Sequence, residues 1–338
     1  MNAVLFVFLR CLFALPLLAL LARLLGYLLV REQLKKNNKK QNRKVENPEI
    51  LVPYTASDIR TALQLGILGV TGNLMANAGG ILLTQSPFKV SLFQQLQPIV
   101  TTSISAFTGR ENVNPFTRSG ALKWGWIFVA ISGAFLVIAK PGSFTWSTTP
   151  NNAPYAVVGD ILLLVNVLSY SLYLTFAQPH LSRIPPITLT AWTYMGGMLP
   201  NIICLVLAYM LNGAALFHIP RIALVGVMYS SILSSSLAYI LINWCNHKTS
   251  PPIVTAFVPL QTVIAALLSA WVFGSEIHVS EGVGAVVVCM GVCGLVWTRY
   301  RESIGRDEVM EGRDGVVPSV GATNGASENE PLLTRYDT

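Results

Sequence analysis

Gln94, Gln97, Thr101 and Ser105 recur at i, i+3, i+7 and i+11, so a helix carrying them presents one polar stripe. The surrounding segment is apolar. Pro98 has no N–H, so the carbonyl of Gln94 loses its helical partner beside two amide side chains. Gln261 sits in a second apolar segment, where Pro259 frees the carbonyl of Thr255 in the same way. Asn73 and Asn77 lie one turn apart in another segment, and Asn166, Tyr170 and Tyr173 share a helix face in a further one. Amides, hydroxyls and bare carbonyls do not activate nucleophiles or exchange protons at neutral pH. Their chemistry is the reversible binding of a neutral or amphipathic organic solute. Gln94, Gln97, Gln261, Asn73, Asn77, Asn166, Tyr170 and Tyr173 are therefore the candidate substrate contacts. The competing reading is that they tie helices together, at about 0.6–2 kcal/mol for each interhelical bond.

Ionisable groups within the apolar segments are few. Asp160 is the deepest acid, near the start of its segment, and is the candidate for coupling transport to an ion. With no acid central in any span, a facilitator or exchanger is expected, because a proton-coupled carrier keeps a buried carboxylate as its relay. Arg10 stands several residues inside the first span. Intramembrane arginine marks a functional site by default, but this one is close enough to a span end to snorkel to the surface. Glu111 and Glu276 follow the two glutamine segments at equivalent places, where solvation or a structural ion pair is expected. Cys11, Cys204, Cys245, Cys289 and Cys293 all fall in or at the end of apolar runs with no ligand partners in spacing, so neither a metal nor another cofactor is expected. His180, His218, His247 and His278 sit at span ends or in loops, and no nucleophile or metalloprotease motif occurs, so an enzyme is not expected.

The elements that must position these residues follow from composition. The chain has 338 residues, 52% hydrophobic and 12% charged, with mean hydropathy +0.54. Soluble domains carry about 25% charged residues. The charges cluster in 31–60, 108–123 and 299–338, separated by runs long enough to cross a hydrocarbon core. The expected fold is an all-α multi-pass membrane protein with nine spans. These are 4–30, 61–83, 88–108, 121–139, 155–177, 187–211, 221–243, 251–273 and 280–298. The first is read as a retained helix rather than a signal peptide, since no basic region precedes its long apolar run. Lysine and arginine concentrate on one side of this layout, which predicts a cytosolic C-terminus. The net charge of +7 thus reports topology rather than nucleic-acid binding.

The chain also repeats itself. Ser86-Pro87, Val90-Ser91, Phe93 and Leu96-Gln97 return as Ser250-Pro251, Val254-Thr255, Phe257 and Leu260-Gln261, each 164 positions on. The copies fall in the third and eighth predicted spans, five crossings apart, which predicts inverted repeats sharing a site near the midplane. Span 155–177 has no counterpart in the first half. The pattern is 4 + 5 where 5 + 5 is expected, with a first helix apparently missing. The expected divisions are 1–140 for the first repeat, with a basic linker at 31–60, then 150–302 for the second repeat and 303–338 for a disordered tail. Gly72, Ala76 and Gly80, and likewise Gly226, Ser230 and Ser234, are spaced as close-packing seams.

At these residues the chain resembles the EamA-domain proteins of the drug/metabolite transporter superfamily, and among them the plant-type "walls are thin"-related, nodulin-like transporters. The resemblance is carried by residues 86–99, by Gly159-Asp160 through Tyr173, and by Thr249 through the segment ending at Glu276. Phe8-Leu9-Arg10 through Leu15-Pro16 resembles the second helix of that family's ten. It implies a carrier of small metabolites, such as amino acids, amines or auxin-like organic acids, working by alternating access. The alternatives are a non-transporting truncated variant or assembly partner, and a sugar-phosphate or nucleotide-sugar carrier, which needs cavity cations that are scarce here. The partners expected are the lipid bilayer and a small solute, with no nucleic acid. Glu328 with Leu332-Leu333 has the spacing of an acidic dileucine sorting signal, which predicts a sorting adaptor and an endolysosomal or vacuolar location, the plasma membrane being the alternative.

Overall fold

The computed structural model describes residues 2–40, 55–85, 87–109, 117–138, 153–213, 219–273 and 279–314. Hydrocarbon offers no partner to a backbone N–H or C=O, so the apolar runs satisfy these groups within themselves as helices. In chain order these are α1 (Ala3–Lys40), α2 (Ala56–Thr84), α3 (Pro87–Gln94), α4 (Gln97–Phe107), α5 (Arg118–Ile138) and α6 (Ala153–Ala177). They continue with α7 (Pro186–Asn212), α8 (Arg221–Lys248), α9 (Pro251–Ala256), α10 (Val258–Phe273) and α11 (Val279–Asp314). Local signals set several ends. Thr55 and Asp58 form a reciprocal capping box at the start of α2. Proline opens α3, α7 and α9, where its missing N–H costs nothing. Gly213, with φ +60°, ends α7 in a conformation that side chains disfavour.

Seven helices among the described residues are long and apolar enough to cross a membrane: Ala3–Leu25, Ala56–Thr84, Gly120–Val137, Val157–Ser182, Pro186–Met210, Arg221–Lys248 and Pro251–Val272. The expectation of nine spans in a 4 + 5 inverted repeat is therefore corrected. Predicted span 88–108 is two short helices, α3 and α4, separated at Gln95-Leu96. Pro98 cannot donate to the carbonyl of Gln94. The chain instead closes tight turns, from Gln95 N to Leu92 O at 3.1 Å and from Leu96 N to Phe93 O at 3.0 Å. The apolar part of α11, Gly282–Thr298, also falls short of the other seven. The antiparallel relation of the two glutamine segments rested on counting five crossings between them, and so did the side assigned to each terminus. With the first copy no longer a full-length span, that count does not stand.

Residues Met1–Thr298 form one unit and Arg299–Thr338, which holds the end of α11, a second. Within the first unit, α1, α2, α6, α7 and α8 share a core of Val7, Cys11, Leu18, Val70, Leu189 and Tyr239 with Tyr173 and Tyr194. Small residues let these helices approach. A Cβ on Gly66 would overlap the carbonyl of Thr193, and one on Gly197 would lie 2.6 Å from Val70 Cβ, so α2 and α7 touch along their backbones. Gly72 and Gly80 pack against Ser169 and Leu163 of α6, where added Cβ atoms would meet side chains at 2.8 and 2.5 Å. The seam read at Gly72, Ala76 and Gly80 is thus an interface with α6. The seam read at Gly226 is not present, since a Cβ there would meet nothing within 4 Å.

Two stretches are wound as π-helix, Ile67–Met75 within α2 and Ser230–Leu237 within α8. Such segments are uncommon and gather at functional sites, because the extra residue per turn redirects a side chain and frees carbonyls. Here Gly69, in the first stretch, presents its carbonyl to the Tyr239 hydroxyl at 2.9 Å, just beyond the second stretch.

Candidate functional site

Beside this core lies a cavity of about 430 Å³. It is lined by polar groups from eight helices: Arg10 (α1), Asn73 and Asn77 (α2), Gln94 (α3), Gln97 (α4), Tyr170 (α6), Tyr239 (α8), and Thr255 and Gln261 (α9 and α10). Leu74, Ile242, Val254, Phe257 and Val258 complete the wall. The volume falls within the ordinary range for small-molecule sites, about 300–1,000 Å³. The two glutamine segments converge on it, because α4 packs against α9. Both helix breaks lie at its edge, at Gln95-Leu96 and at Phe257. The duplication therefore contributes Gln97 and Gln261 to one space rather than to two.

The amides divide into those already bonded and those that are not. Asn73 Nδ2 donates to the Tyr239 hydroxyl at 2.7 Å, and Asn166 Nδ2 donates to the Asn73 carbonyl at 2.7 Å and to Asn73 Oδ1. Asn73 is thus held from both sides. Gln94, Gln97 and Gln261 have no side-chain hydrogen bond among the described residues, and Asn77 Oδ1 is buried without a donor. In a low-dielectric setting an unmet amide costs about 1–3 kcal/mol. The three glutamines face one cavity and form an arrangement that a bound solute or water completes.

The structure separates the sequence candidates. Gln94, Gln97, Gln261, Asn73, Asn77 and Tyr170 line the cavity. Asn166 and Tyr173 do not. Asn166 is 3% exposed and braces Asn73, while Tyr173 is fully buried, its hydroxyl donating to Asn243 Oδ1 at 3.0 Å. Thr101 and Ser105, on the stripe with Gln94 and Gln97, are also buried away from the cavity, and Thr101 Oγ1 donates to Ser171 Oγ at 2.9 Å. Asp160 lies outside the lining and is paired with Lys89, Nζ standing 2.9 Å from Oδ2 and 3.2 Å from Oδ1. Glu111, Glu276, Glu328, Leu332 and Leu333 lie outside the described residues.

Three polar lining residues, Arg10, Tyr239 and Thr255, were not among the candidate substrate contacts. Arg10 does not snorkel to the surface. Its Nε donates to Ser235 Oγ in the π-helical stretch of α8, and it opens onto the cavity. Its depth in the span was the available signal. Tyr239 continues a polar stripe of Ser231, Ser235, Tyr239 and Asn243 at i, i+4, i+8 and i+12, which was the available signal. Its ring packs edge-on against Tyr194, with centroids 5.3 Å apart at 85°, and against Tyr170 at 6.5 Å and 80°. This fixes its hydroxyl between Gly69 and Asn73.

Residues 157–297 match the EamA-like transporter family. A WAT1-related protein of Arabidopsis thaliana is 26% identical to the chain, covering 74% of it and 68% of the relative. Protein WALLS ARE THIN 1 of the same plant is also 26% identical, covering 71% of this chain and 65% of its own length. An auxin-induced protein of Pinus taeda is 23% identical over 75% of the chain and 66% of its own. The chain thus spans about two thirds of the length of these curated relatives. A crystal structure superposes with TM-score 0.61 at 13% identity, covering 88% of this chain and 90% of the other, so the fold is shared. The family is one of transporters rather than enzymes, and the polar cavity among membrane-length helices suits that class. The chain is a multi-pass membrane protein whose residues 157–297 match the EamA-like transporter family and which is similar to WAT1-related proteins over about three quarters of its length.

Proposed function

We propose that the 430 Å³ cavity is the solute site of a carrier for small organic metabolites, amino-acid-, amine- or auxin-like, moved by alternating access. The supporting observation is that Gln94, Gln97 and Gln261, drawn from both copies of the duplicated segment, reach the same space with no protein partner. Amides in this state bind solute polar groups without first breaking bonds to the protein. The breaks in both segments place backbone that is not fully bonded beside the cavity, which a membrane protein tolerates only where protein or a wet cavity receives it. Asp160 serves in this reading as a brace, its carboxylate engaged by Lys89, and the carrier is a facilitator or exchanger.

The test is uptake into liposomes holding the purified full chain, across a panel of radiolabelled metabolites. Gln97→Ala and Gln261→Ala are each expected to lower uptake at least about tenfold, at unchanged protein abundance, the loss of hydrogen bonds worth about 1.4 kcal/mol or more. Wild-type rates in both variants would remove the cavity from the transport path.

A further inference from the structure

We infer that Arg10 sets the charge selectivity of the cavity, so that its solute presents a carboxylate to this guanidinium, and that Ser235 positions it. The inference rests on the reading of the cavity as the solute site.

The charge balance of the lining carries it. Every lining residue other than Arg10 is a neutral amide, hydroxyl, phenol or hydrocarbon. The Arg10 guanidinium is the one charged group of the lining, and it is positive. Among the described residues no carboxylate stands within ion-pair distance of it, the one ion pair there being that of Lys89 with Asp160. The protein contact that Arg10 makes is with the uncharged Ser235, through Nε, which leaves the two Nη groups for the cavity. Arg10 is half-buried, and a charge partly withdrawn from water without a counter-charge is costly. It is retained where a ligand or a water-filled path supplies the compensation.

The geometry of the contact decides which anion. Ser235 is fully buried, and its bond to Nε restrains the guanidinium, while the Nη edge of this cavity-lining residue keeps no protein hydrogen bond among the described residues. A planar carboxylate accepts two parallel hydrogen bonds from such an edge. A phosphate ester brings up to two negative charges to a lining that offers a single positive one. An amine meets a like charge. The amides of Gln94, Gln97 and Gln261 line the same cavity with no protein partner and offer their oxygens as acceptors, so the preferred solute also carries an N–H or O–H. The site therefore takes a small monocarboxylate bearing a hydrogen-bond donor in preference to an amine or a phosphate ester.

The experiment measures uptake by the full chain in liposomes of radiolabelled monocarboxylates, including amino acids, each paired with its own primary amide. The panel also includes matched amines and phosphate monoesters. Wild type is expected to take up the best acid about tenfold or more faster than its amide, the usual advantage of a charge-assisted bond over a neutral one. In Arg10→Gln the acid-to-amide ratio falls to near one while amide uptake persists, and Arg10→Lys restores part of the ratio. Ser235→Ala raises KM for the acid several-fold and leaves KM for the amide unchanged, a split that general loosening of the fold does not produce. An acid-to-amide ratio near one in wild type, or fastest uptake of an amine or phosphate ester, overturns the inference and leaves the cavity reading intact. So does an unchanged ratio in a folded Arg10→Gln. Should Arg10→Gln not fold, the wild-type ratios and Ser235→Ala decide. No uptake of any panel member by wild type overturns the cavity reading itself.

Discussion

Replacing Tyr239 by Phe isolates the one hydroxyl that ties the cavity wall to the core. The ring is 5% exposed and keeps its edge-on contacts with Tyr194 and Tyr170, so volume and packing are unchanged. What disappears are two hydrogen bonds, the one donated to the Gly69 carbonyl at 2.9 Å and the one accepted from Asn73 Nδ2 at 2.7 Å. Interhelical hydrogen bonds in membrane proteins average about 0.6 kcal/mol and reach about 1.7. Leaving a buried partner unmet costs about 1–3 kcal/mol. The Gly69 carbonyl sits in the π-helical stretch of α2, and Asn73 Nδ2 opens onto the cavity, where a solute or water takes up part of the loss. The expected destabilisation is therefore about 1–2 kcal/mol, a shift of a few degrees in the thermal midpoint of the purified protein. Asn73 keeps its bond from Asn166 but can now rotate, so KM for the transported solute is expected to rise about three- to tenfold, with a smaller change in maximal rate. Initial-rate uptake over a range of solute concentrations gives both values. A double variant with Asn73→Ala supplies the decisive comparison. If Tyr239 acts through Asn73, the two changes are non-additive by at least about 0.5 kcal/mol. Additive effects, or an unchanged KM in Tyr239→Phe, would refute the idea that this hydroxyl shapes the site.

Two further outcomes follow from the packing and the ion pair. Asp160→Asn removes the carboxylate partner of Lys89, whose side chain is 8% exposed, and is expected to lower the thermal midpoint, while the exchange Lys89→Asp with Asp160→Lys recovers part of it. Transport driven by a pH gradient that survives Asp160→Asn would also exclude this carboxylate as a proton relay. Gly66→Leu drives a side chain into the backbone of α7 and is expected to abolish the folded protein, whereas Gly226→Leu, facing open space, leaves its yield unchanged, both read as monodisperse protein after extraction.

The membrane class and the helix-rich fold were legible because apolar length is a one-dimensional property, and hydrocarbon permits one local answer to it. The convergence of Gln97 and Gln261 was legible in outline, since the duplication carries the same side chain at the same register of each copy. The number of membrane-length helices was not. A hydropathy run such as 88–108 reads as continuous while its backbone is broken at Gln95-Leu96, and only the placement of neighbouring helices decides whether a proline-weakened turn stays helical. Polar stripes misled for a related reason. Asn166 and Tyr173 share a face with Tyr170, but that face meets another helix along most of its length, so one phenol reaches the cavity while the other residues become its supports.

The sequence by itself determined that this chain crosses a membrane, that one apolar segment recurs, and that glutamines stand at matching positions of the two copies. Each of these depends on residue type and spacing along one strand of chain. Only the tertiary structure decided that Arg10 faces inward. An arginine near a span end has two low-energy destinations, and the choice is made by Ser235, far away in sequence, which Arg10 meets when α1 packs beside the π-helical turn of α8. Tyr239 was settled in the same way, because its hydroxyl acquires a role only when α2 brings Gly69 and Asn73 within reach.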